Sequence, residues 1–216
     1  TITVSNVYEG TDPPGVLGEI ILGDHVRDTE TEVMAIGGSG EEKVVSVSAV
    51  NPDSGSEYFK VSVIDPATGA IEATLDIPQS DQYQAMGDIS VASVGGGRLA
   101  LTWNSSWSQT SNILLRLIDI SDASGTTVIS SDAGDITGET VIGNAGSSGI
   151  DPNSQVGVTS DGNIIVSYTK NTGNTYVQTF DVNGNIATAE QDIGTVSGGR
   201  TLLDTGQWIG LQHESQ

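Results

Sequence analysis

Asn51-Pro52-Asp53-Ser54-Gly55-Ser56-Glu57 sets oxygen-bearing side chains at alternate positions around a glycine. That spacing lets a loop wrap a hard cation, and calcium takes such oxygen ligands. Asn51, Asp53 and Glu57 are the expected ligands and Ca2+ the expected ion, although the run lacks the distant bidentate glutamate of an EF-hand. Asp181-Val182-Asn183-Gly184-Asn185 and Gly37-Gly38-Ser39-Gly40-Glu41 begin in a similar way but carry too few carboxylates to continue it. Each of the three stretches also reads as a hairpin turn, since Asn, Asp and Gly tolerate positive φ.

The other chemistry on offer is recognition. In the stretch 104–111, NSSWSQTS, an aromatic ring sits among amide and hydroxyl groups. Such a ring can stack on a sugar while its neighbours bond the hydroxyls, so Asn104 and Trp107 are the candidate ligand-binding pair. Trp103 ends the preceding apolar run and is expected in the core. The two histidines, His25 and His213, lie far apart in the chain with no local nucleophile or ligand set. No HExxH, nucleophile elbow, phosphate loop or dinucleotide fingerprint occurs, so no catalytic residues are assigned. A glycosidase needs two carboxylates at a defined separation, and the sequence does not single out a pair among its 28 Asp and Glu.

Those 28 carboxylates face 7 Lys and Arg, a net charge of −21. Phosphate backbones and anionic bilayers both require clustered cations, so neither nucleic acid nor a membrane surface is an expected partner. No run is long and apolar enough for a membrane span, and no membrane insertion is expected. There is no cysteine, so disulfides and thiolate metal sites are excluded. Little Lys, abundant small polar residues and no leader-like opening fit a mature segment of an extracellular bacterial protein, secreted or at the cell surface.

The elements that must position these groups are strands. Short alternating runs bounded by Gly, Asp, Asn and Pro recur throughout, without three turns of helical spacing anywhere. An acidic residue closes the third strand of each unit: Glu9, Asp65, Asp119 and Asp181, at intervals of 56, 54 and 62 residues. Repeats of this length mark propellers, solenoids or stacked modules. Three complete units, 31–78, 88–131 and 155–193, each hold four hairpin-linked strands, here A to D. A C–D half-unit occupies 1–26 and an A–B half-unit 201–214. The expected fold is therefore a single all-β domain over 1–216, a β-propeller of four-stranded antiparallel blades. Four blades are expected, the last one split and closed by pairing the two terminal halves. The longest links, 79–87 and 132–154, are D–A connections on the same side as the B–C loop 104–111. That loop face is the expected binding surface for a protein or glycan.

Residues 161–168, DGNIIVSY, followed by residues 176–186, YVQTFDVNGNI, give a strand-turn-strand-turn pattern. Residues 96–103 repeat its first half and residues 63–69 its second. This pattern resembles the propeller-like repeats of very large secreted bacterial surface proteins and adhesins. The resemblance implies an extracellular scaffold or adhesive role, often supported by calcium, and it supplies no catalytic residues. A non-enzymatic scaffold, adhesion or surface-assembly domain is thus the expected function. The alternatives are a glycan-binding module on the loop face, a propeller-type hydrolase, and a filament subunit that self-associates through its terminal strands.

Overall fold

The computed structural model describes residues 2–5, 16–20, 26–35, 42–52, 57–79, 89–107, 110–120, 140–147, 153–195, 200–202 and 208–210. Every regular element among them is a strand, all paired antiparallel. Three four-stranded meanders form the body. The first comprises β3 (Val26–Ala35), β4 (Glu42–Val50), β5 (Tyr58–Ile64) and β6 (Ile71–Pro78). The second comprises β7 (Ser90–Gly95), β8 (Arg98–Trp107), β9 (Thr110–Asp119) and β10 (Thr140–Ser147). The third comprises β11 (Gln155–Val158), β12 (Ile164–Thr169), β13 (Thr175–Phe180) and β14 (Ile186–Gly194). β1 (Ile2–Ser5) pairs with β2 (Val16–Ile20), and β15 (Arg200–Leu202) with β16 (Trp208–Gly210).

Alternation decides how the sheets stack, because successive side chains in a strand point to opposite faces. Val45, Val47, Phe59, Val61 and Leu75 of the first sheet meet Leu99, Leu101, Trp103, Leu114 and Ile118 of the second. The opposite face of the second sheet presents Ala100, Ile113, Leu115 and Leu117 to Val156, Ile164, Val166, Tyr168 and Phe180 of the third. The middle sheet is thus apolar on both faces over much of its area, and for that reason residues 99–103 of β8 and 113–118 of β9 read as nearly continuous hydrophobic runs. First strands lie side by side, β3 by β7, β7 by β11 and β11 by β15. Ser90 Oγ of β7 accepts a 3.1 Å bond from the Val156 amide of β11.

The expected split closing blade does not form as one sheet. β1–β2 and β15–β16 are separate two-stranded sheets, so the described strands make three full sheets rather than a closed ring of four. A ladder between chain ends must offset the loop-closure entropy of a long chain, and β15 and β16, three residues each, offer few bonds for it. Unit boundaries shift too. The first full sheet begins at Val26 instead of 31, and β2 ends at Ile20.

The fourth strand of the second sheet, expected over 126–131, is instead Thr140–Ser147; residues 126–131 lie outside the described residues. Both runs are rich in β-branched residues. Only the later one carries Gly143, Ala145 and Gly146, whose small side chains let the third sheet approach closely. As a result the expected D–A link 132–154 contains a strand at 140–147 and is not one long loop on the face carrying 104–111.

Candidate functional site

The recurring acidic residues are the natural place to look for chemistry, and the structure shows how they are used. Asp181 ends β13. Its Oδ1 accepts from the amides of Asn183 and Asn185, and its Oδ2 from Asn185 Nδ2, all at 2.9 Å. Asp65 ends β5 in the same manner, accepting from the Ala67 amide at 2.8 Å and Thr68 Oγ1 at 2.9 Å. Asp119 ends β9 and takes a 3.4 Å bond from Arg98 Nε across the sheet. Asp161, in the turn between β11 and β12, accepts from Thr159 Oγ1 and from Asn163 Nδ2. Glu9 lies outside the described residues. At Asp65 and Asp181 the result is a side-chain-capped turn, in which the carboxylate satisfies amides that the sharp reversal would otherwise leave unpaired.

Hydrogen bonding to the charged form favours ionisation. The Asn185 side chain and then its amide hold Asp181 below the usual aspartate range; the Ala67 amide and Thr68 hydroxyl do so for Asp65, and the Thr159 hydroxyl for Asp161. A carboxylate with a lowered folded pKa stabilises above its unfolded pKa, and that contribution fades as pH falls through the folded value. The difference in urea midpoint between the parent chain and Asp181→Asn is therefore expected to be widest at pH 6–7. It should shrink below about pH 4, where the unfolded aspartates protonate. A difference that is flat from pH 7 to pH 3 would show that the charge of Asp181 plays no part in the turn.

The expected site residues are not brought together. Asn104 is buried within β8 opposite Ile113, and Trp107 closes the same strand opposite Thr110. The two strands run on to the hairpin because Ser105 pairs with Asn112 and Ser106 with Ser111; polar side chains do not interrupt a backbone ladder. The loop expected over 104–111 is thus a tight β8–β9 hairpin, and Asn104 does not stand on an open loop. Trp103 is fully buried, as expected.

Of the calcium candidates, Asn51 is half-buried just after β4 and Glu57 is buried just before β5, its carbonyl accepting from the Gln79 amide at 3.1 Å. Asp53 lies outside the described residues, as do the stretch 37–41, His25 and His213. Among the described residues no three His, Asp or Glu side chains converge as metal ligands. The lone pairs of Asp181 are directed at its own turn, which leaves the 181–185 stretch as a hairpin.

Sequence reading missed a polar cluster on the third sheet. Tyr168 of β12 and Tyr176 of β13 are cross-strand partners with stacked rings, centroids 6.2 Å apart. Lys170 Nζ sits 4.0 Å from the Tyr176 ring centroid and bonds Glu190 Oε1 of β14 at 2.5 Å. The Tyr168 hydroxyl donates to the other oxygen of the same carboxylate, Oε2. Burial, and then the bonded Glu190, push the Tyr168 phenol far above the usual tyrosine range, so it stays a neutral donor.

Asp192, two residues along β14, accepts from the Gly194 amide and from Asn174 Nδ2, both at 2.8 Å, and these bonds hold it below the usual aspartate range. The cluster fastens the outer strand to the sheet. Its only sequence signal is the pair of tyrosines flanking a turn, since Glu190 joins from 22 residues away. Comparison with protein-family models finds no match, and comparison with curated proteins finds none either.

Proposed function

We infer that the chain is a run of propeller-type blades serving as a non-enzymatic scaffold or adhesion domain of a secreted or cell-surface protein. The supporting observation is the use of the repeated carboxylates. Asp65 and Asp181 cap their own turns and Asp119 pairs with Arg98, so the most regular chemical feature of the sequence serves architecture. The stacking of first strands, β3 by β7 by β11 by β15, is the arrangement expected of blades around a common axis. Buried serines on the outer face of the first sheet, Ser46 and Ser62, and Ser167 and Thr175 on that of the third, require a covering layer. In this reading the terminal hairpins are half-blades that contribute to that layer.

The test is adhesion. Beads coated with the full chain should be retained on protein-coated surfaces under flow and should turn over no glycan or peptide substrate. Retention confined to glycan surfaces and lost in Trp107→Ala would replace this reading with the carbohydrate-binding one. Calcium has its own measurement. An ion at 100-fold over its Kd stabilises by about 2.7 kcal/mol, or roughly 5–10 °C in Tm for a chain of this size. Because the carboxylates of Asp65, Asp161 and Asp181 are already engaged by donors of their own turns, millimolar calcium is expected to move Tm by less than about 2 °C. A rise of about 5 °C or more would assign a resident ion to the loop around Asn51, Asp53 and Glu57.

A further inference from the structure

The three outer strands of the three sheets are not equivalent. The last carbonyl of β6, Pro78 O, accepts a 2.9 Å bond from Arg116 Nη1 of the second sheet. On β10, Ala145 O accepts a 2.8 Å bond from the Asn171 amide of the third. Each outer strand is thereby tied to the sheet that follows. Among the described residues β14 has no such tie beyond its ladder with β13. Eight of its nine residues are exposed, on both faces, including Ile186 at 63% and Ile193 at 45%. It contains neither proline nor lysine, the residues that most often blunt a free edge.

We propose that β14 is a strand-addition site for an extended, lysine- or arginine-bearing polypeptide segment. The open edge supplies the ladder, and charge selects the occupant. Glu190 and Asp192 lie two positions apart and therefore on one face, with the single Lys170 ammonium bonded to Glu190. Two carboxylates against one ammonium leave the face anionic, on a chain of net charge −21. Cross-strand neighbours sit about 5 Å apart, so cations at alternate positions of an added strand would meet this row directly. The same carboxylates repel a second copy of this chain, so they both admit the right strand and protect against self-pairing.

The proposal deepens the scaffold reading by naming a partner, and the two fail separately. Adhesion under flow tests the role of the domain, whereas peptide binding tests this edge.

The experiment titrates the full chain into a labelled short peptide alternating lysine with valine, beside a twin alternating glutamate with valine. Two N-methylated lysine peptides complete the set, each blocked along one edge. The lysine peptide is expected to bind and to slow amide exchange across 186–194, while the glutamate twin does not bind. One N-methylated peptide should lose at least about tenfold in affinity and the other should keep it, because main-chain bonds carry strand addition. Asp192→Lys should weaken binding by about fivefold, the scale of an exposed ion pair. Equal binding by both methylated peptides, or protection away from β14, would overturn the proposal. So would a concentration-dependent dimer that protects the same amides, which would assign the edge to a second copy.

Discussion

Trp103→Ala is expected to destabilise the chain by about 3–5 kcal/mol, the range for emptying a large aromatic site in a core. Trp103 lies on β8 with no exposed surface, in the layer between the first two sheets. Its ring meets the Phe59 ring edge-on, centroids 4.9 Å apart and planes at 69°, a geometry worth about 0.5–1.5 kcal/mol beyond area burial. Backbone ladders on both sides, to β7 and to β9, hold β8 in place, so the neighbours can collapse only partly into the space. Typical domains have 5–15 kcal/mol in total, so the loss is a large fraction of the stability. Urea unfolding followed by far-UV circular dichroism measures it, with Trp103→Phe expected to recover much of the loss. A cost under about 1 kcal/mol would mean that the first two sheets do not share a packed core.

Because the middle sheet is apolar on both faces, this substitution also bears on the third sheet. Loss of the first interface exposes one side of β8 and β9, whose other side holds Tyr168 and Phe180 in place. A single cooperative transition is therefore expected for both the parent and the variant.

What was legible in the sequence follows from what alternation encodes. Asn183-Gly184-Asn185 and Ser160-Asp161-Gly162 marked real reversals, with Gly184 at φ 82° and Gly162 at φ 84°, values glycine adopts without strain. The positions of Asp65, Asp119 and Asp181 at the ends of third strands were correct as well, because turn chemistry is local. Partner choice is not local. The runs at 126–131 and 140–147 carry the same kind of strand signal, and only contact with Tyr168 and Asn171 of the next sheet favours the second. The hairpin at Trp107 has the composition of an open loop because of its Ser and Asn residues, yet these sit in a backbone ladder. A ring-closing sheet follows from the number of strands alone, and that number says nothing about whether two short ends gain enough bonds to join.

Gly143→Ala is the sharper test of that inter-sheet contact, with an expected loss of about 1–3 kcal/mol from overpacking. Gly143 sits on β10 at an ordinary backbone conformation, so alanine there meets no φ penalty; at Gly146, with φ 105°, it would. A Cβ at 143 would lie 2.5 Å from Tyr168 Cζ, and closer still to the hydroxyl. Tyr168 has little freedom to retreat: it is fully buried, its ring stacks on Tyr176 and its hydroxyl is bonded to Glu190. Relief must come from β10 moving away, which would strain the bond from the Asn171 amide to Ala145 O. The cycle with Tyr168→Leu isolates the contact, since the shorter side chain vacates the space. In that background Gly143→Ala should cost less than about 0.5 kcal/mol, the level of a substitution that touches nothing. An equal cost in both backgrounds would place the strain elsewhere and undo the assignment of 140–147 as the strand that joins the second sheet to the third.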